Sequence, residues 1–119
     1  MDQRPGHFRE RRQSVIPTAV ERMIAATNAA DTDEFVACFT DDAFLSDWGR
    51  EFHGRSGVAS WNETDNIGVH AHFEATSSRR DGEDDVVTII VTGGGYNGVG
   101  DIRFTIAGDL IARMIISAD

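Results

Sequence analysis

Asp47, Asp101 and Arg103 are the residues whose types and placement could do chemistry in this chain. Asp47 closes the run Ala43-Phe44-Leu45-Ser46, whose alternation is that of a strand, and it shares a face with Ala43 and Leu45. A carboxylate on a core-facing strand end enters an apolar hollow, where it can serve as a general base. On a solvated strand end the same residue is an ordinary surface acid. Asp101 and Arg103 alternate along 101–106, opposite Ile102, Phe104 and Ile106. That polar face either meets solvent or lines a pocket. With Arg103 beside it, Asp101 stays ionised, and the two could join Asp47 in an aspartate–arginine–aspartate set.

Other patterns carry less chemistry. His70, His72 and Glu74 alternate at a spacing that suits a metal, but an exposed sheet face gives the same alternation, and no metal is expected. Cys38 falls within a helix with no histidine placed to activate it, the pattern of a buried, inert thiol. The glycine-rich stretch 93–100 lacks the Lys-Ser/Thr of a phosphate-binding loop, and Asn97-Gly98 reads as a hairpin turn. No organic cofactor is called for.

The elements that position these residues follow from periodicity. Thr18 with Glu21 has the spacing of a capping box and opens a helix whose stripe is Val20, Met23, Ile24 and Thr27. Thr32 or Asp33 opens a short second helix with Phe35, Val36 and Phe39 on its apolar side. Asp41-Asp42 is a turn, the strand to Asp47 follows, and Gly49-Arg50 turns tightly into Glu51-Phe52-His53. Ser56 is the expected cap of a third helix carrying Val58 and Trp61. Beyond it, 69–80, 85–92, 100–106 and 110–117 read as strands joined by turns, hence an antiparallel sheet. Helices first and strands after is the α+β order.

With 119 residues, 40% hydrophobic and 26% charged, the chain has the size and composition of one globular domain. Residues 1–14 read as a mobile arm and 15–119 as the folded domain. The net charge is −9, with +2 on the first twelve residues and −11 on the rest. So acidic a body repels phosphate backbones, and no nucleic-acid partner is expected. The longest apolar run, 86–91, is too short to span a bilayer, so no membrane partner is expected either. One cysteine points to no oxidising compartment, and Arg11-Arg12 lacks the apolar stretch of an export signal. A cytoplasmic protein is expected.

The stretch 18–61, with Phe39-Thr40-Asp41-Asp42-Ala43 leading to Asp47, resembles the start of the nuclear-transport-factor-2-like superfamily. Its members include ketosteroid isomerases and SnoaL-like polyketide cyclases. The resemblance implies an α+β cone, in which three N-terminal helices pack on a curved, mainly antiparallel sheet and enclose a small apolar ligand. It implies Asp47 as the base and Asp101 as the family's second acid, whereas Met23 stands where the isomerases carry an oxyanion tyrosine. Met23, Phe39, Leu45 and Trp61 are the expected pocket lining, and a homodimer is the expected assembly. Three functions follow: proton transfer beside a carbonyl in an isomerase- or cyclase-like enzyme, epoxide-hydrolase-like hydration through Asp47, Arg103 and Asp101, or ligand binding without turnover.

Overall fold

Helix α1 (Thr18–Asn28) buries Ala19, Val20, Met23, Ala26 and Thr27, the helical-period stripe that periodicity requires. Pro17 precedes it and no side chain caps it, so the expected Thr18–Glu21 box does not form and Thr18 is the first helical residue. Helix α2 (Thr32–Ala37) is capped by Asp31, whose carboxylate accepts from the Glu34 N–H at 3.1 Å. β1 (Phe39–Asp47) and β2 (Arg50–His53) form a hairpin, and α3 (Gly54–Asp65) begins two residues ahead of the expected Ser56 cap. A 3-10 turn (Ile67–Val69) leads to β3 (His72–Asp81), β4 (Asp84–Thr92), β5 (Gly98–Ala107) and β6 (Leu110–Ile116). The computed structural model describes residues 16–117, and the arm expected over 1–14 lies outside them.

The strands form one sheet in the order β2-β1-β6-β5-β4-β3, antiparallel except for the parallel pair β1–β6. Asp41-Asp42 is not a turn between elements. It lies inside β1, where the register with β6 shifts between Phe39 and Phe44. Further shifts, with Thr76 of β3 and Ala112 of β6 as the extra residues, add bulges, the device that bends a sheet.

Register assigns the paired strand residues to faces. Asp47, Ile116, Ile102 and Val87 stand side by side across four strands. Their face is the helix side, because Leu45, Met114 and Phe104 on it are fully buried. Ser46, Ile115, Arg103, Val86 and Arg79 form the matching row on the outer side. Phe35 joins Phe39 and Trp61 at ring-centroid distances of 5.3 and 6.1 Å, tying α2, β1 and α3 into one core.

Candidate functional site

β1 and β6 end level with each other, at Asp47 and Ile116. β5 runs on past them: Gly98–Asp101 pair with β4 but, among the described residues, have no partner on the β6 side. Over the truncated strands opens a cavity of about 1030 Å³, roofed by Trp61 and Asp65 of α3 and walled by Val69, Ala71, Phe73, Ile89, Val91 and Ile102. Its lining also takes in Arg79, Asp101 and Arg103, which project from the outer face.

Asp47 stands at the lip, its side chain 16% exposed. The Trp61 indole Nε1–H donates to its Oδ2 at 2.9 Å, and the Arg50 guanidinium donates to the same oxygen at 2.8 Å. Oδ1 accepts from none of the described residues. Arg50 also reaches Asp65 Oδ2 at 2.8 Å, so one cation bridges two carboxylates, with Asp65 first in holding the guanidinium protonated. The hairpin explains this placement. Trp48 and Gly49 both have positive φ, 52° and 87°, which makes a two-residue turn matched to strand twist and sets Arg50 opposite Asp47.

Of the expected lining, only Trp61 borders the cavity. Met23, Phe39 and Leu45 are fully buried in the core beneath it, because the helix side of the sheet holds both core and cavity. The expected Asp47–Arg103–Asp101 set is not assembled. Arg103 bonds to Asp81 and, at 3.1 Å, to Asp84, while Asp101 accepts from the Thr88 hydroxyl at 2.6 Å and pairs with Arg79 at 3.4 Å. Both residues project from the outer side, since Ile102 and Phe104 between and beside them take the helix side. Thr88 donation, opposed by some desolvation and assisted by Arg79, holds the Asp101 carboxyl below the usual carboxylate range.

Arg50, Asp65, Phe73 and Tyr96 border the cavity without having been singled out from the sequence. Trp48-Gly49 ahead of Arg50 was a usable signal, because a Gly-containing pair between two alternating runs marks a hairpin. Asn97-Gly98 is not a two-residue turn: the loop covers 93–97, and the Asn97 side chain closes it through Gly93 and Gly95. His70 lies in a left-handed turn at φ 58° and not in β3, and among the described residues no three ligands are grouped for a metal. Cys38 is buried, and burial pushes its thiol up from the ordinary value.

Helices on one face of a bent mixed sheet, with a cavity over the ends of its strands, define the nuclear-transport-factor-2-like cone. Within it the chain belongs to the family of SnoaL-like domains, whose pattern matches residues 20–114. A candidate polyketide cyclase of Sinorhizobium meliloti is similar at 26% identity, with 84% of this chain and 94% of that one covered and a TM-score of 0.75. A Mycobacterium tuberculosis protein in complex with estradiol-17β-hemisuccinate has a TM-score of 0.71 at 14% identity, covering 82% and 88% of the two chains. A Δ5-3-ketosteroid isomerase from Mycobacterium sp. has a TM-score of 0.70 at 13% identity, with 85% and 92% covered. At identities that low the last two share the fold alone. No curated protein matches the sequence. Among the described residues no helix is long and apolar enough to cross a membrane.

Proposed function

We propose that the cavity takes a small apolar ligand bearing a carbonyl, and that Asp47 moves a proton at the carbon beside it. One observation carries this reading: Asp47 is held through Oδ2 by Trp61 and Arg50 while Oδ1 stays uncommitted at the lip of the cavity. A carboxylate clamped on one oxygen presents the other in a fixed direction, as proton abstraction requires. Oδ1 takes the α-proton, the electron pair moves onto the carbonyl oxygen, and the proton returns to carbon at the same or a conjugated position. The similarity to a candidate polyketide cyclase supports this class of reaction. Hydration through Arg103 is not carried forward, because its guanidinium is committed to Asp81 and Asp84.

A second reading, binding without turnover, is favoured by the Trp61 N–H. This donor points at Asp47 and not at the cavity, so it is spent on holding the carboxylate. Incubation with androst-5-ene-3,17-dione in D2O separates the two. Exchange or double-bond migration that disappears in Asp47→Asn supports the base, and binding without exchange in the parent protein supports the second reading. The outer face of the sheet presents Phe44, Ile90 and Ile115, half-buried, with Val99 exposed. A second copy covering that face gives the expected homodimer, which sedimentation at micromolar concentration tests.

A further inference from the structure

The Tyr96 hydroxyl takes no part in holding the described residues together. Its loop is held by Asn97, by two bonds to Gly93 and one to Gly95, and by the Gly94 N–H donating to the Val69 carbonyl at 2.8 Å. Tyr96 Oη bonds to none of the described residues, and the ring is 58% exposed at the cavity. The loop beneath it is nonetheless fixed. A Cβ at Gly93 would stand 2.5 Å from the His70 carbonyl oxygen, and one at Gly94 would stand 2.9 Å from that of Val69. Backbone packed on backbone gives Tyr96 a rigid base.

The direction of the ring follows from Gly98. A Cβ there would meet Tyr96 Oη at 2.5 Å, so the hydroxyl lies over Gly98. Gly98 shares its face with Gly100 and Ile102, which is the helix side. Between them Gly100 leaves bare backbone. Its φ is not positive and a Cβ would meet nothing within 4 Å, so neither conformation nor packing demands glycine there. The result is an empty floor. Gly98 to Ile102 is roughly 13 Å along the strand, and Ile102 to Asp47 is two strand spacings, roughly 10 Å. On a bent sheet, inward-pointing side chains approach one another, leaving on the order of 10–15 Å between phenol and carboxylate.

We infer that Gly100 and Tyr96 form a distal subsite. The bare backbone at Gly100 receives the flat face of an elongated apolar ligand, and Tyr96 Oη bonds an oxygen at the end remote from Asp47. This rests on reading the cavity as a ligand site but not on Asp47 acting as a base. The cavity would then select rigid molecules with an oxygen at each end over shorter or single-ended ones.

Estradiol and its 3-deoxy and 17-deoxy analogues test this by calorimetric titration, since the parent compound carries an oxygen at each end. The expected result is that one deoxy analogue binds the parent protein on the order of 5-fold more weakly, the net worth of one neutral hydrogen bond. Tyr96→Phe should erase that preference while leaving the affinity for the same analogue unchanged. Gly100→Val should weaken all three by about 10-fold or more, because it fills the floor, with the melting temperature held or raised. Preference surviving in Tyr96→Phe, or parent-like binding by a folded Gly100→Val, overturns the subsite. So does failure of estradiol to bind the parent protein at ~100 µM, a concentration that detects even weak sites. The proton-exchange assay on Asp47 is independent of all three outcomes.

Discussion

Trp61 and Asp47 meet through a single hydrogen bond, indole Nε1–H to carboxylate Oδ2 at 2.9 Å, between the middle of a helix and the end of a strand. The same tryptophan stacks on Phe35 in the core. The carboxylate's aim is therefore coupled to core packing, and the position of α3 over the sheet sets where Oδ1 can point.

Trp61→Phe keeps most of the ring and removes the donor. Stability should fall by about 1–2 kcal/mol, the range for a bond to a charged acceptor plus a small packing loss. Turnover or ligand selectivity should fall by more than that loss of fold accounts for. Denaturant midpoints measured beside the D2O exchange rate check both.

Asp101 should prove structural. Asp101→Asn is expected to leave exchange rates within about threefold, since the residue projects from the outer side, whereas loss of an active-site group typically costs far more. Its acid behaviour has a definite sign. The folded-state pKa lies below the unfolded value, so its stabilisation is present above the ordinary carboxylate range and is lost as pH falls through the folded value. In Thr88→Val the main cause is gone. The gap in melting temperature between parent and variant should therefore be full at neutral pH and close as pH falls below the ordinary carboxylate range.

Met23→Tyr, which would supply the phenol that isomerases carry on the first helix, should not create an active site. Met23 is fully buried beneath the cavity, beside Thr27. A larger side chain there overpacks the core at a cost of about 1–3 kcal/mol and leaves an unmatched hydroxyl. Thermal melting should show the loss, and exchange rates should not rise.

Gly93→Ala tests the rigidity of the Tyr96 loop. The backbone is at φ 138° and the added methyl would meet the His70 carbonyl oxygen, so a cost of at least about 1–3 kcal/mol is expected. Hydrogen exchange should rise selectively in the loop and in the 3-10 turn against which it packs.

Much of this is legible in the sequence. Alternation through Ala43, Leu45 and Asp47 gave the correct face for Asp47, because a strand end carrying buried neighbours can point only where they do. The same logic grouped Asp101 with Arg103, and they do share a face. What alternation could not convey is that the cavity is lined from the apolar side and made by an absence. Gly100 creates volume by having no side chain, and a pattern of side chains does not register that. Met23, Phe39 and Leu45 lie on the helix side as expected, but periodicity gives direction and not depth, and they ended in the core. Tyr96 sits in a loop, which has no period, and Arg50 gained its role from the turn that placed it opposite Asp47.

The parallel pairing of β1 with β6 has a consequence for folding order. Asp47 is placed by its neighbour Ile116, and the Trp48 N–H is tied to the Ile116 carbonyl, about seventy residues further along the chain, so closing this contact carries a large loop-entropy cost. The helices, the β1–β2 hairpin and the β3–β4–β5–β6 meander can be assembled from local contacts, whereas the strand end that carries Asp47 gains its place beside Ile116 only when β1 pairs with β6. Competence should thus arrive as the last event of folding. During refolding, recovery of ligand binding should lag behind recovery of helical signal, and any change that delays the pairing of β1 with β6 should prolong a structured state that does not bind.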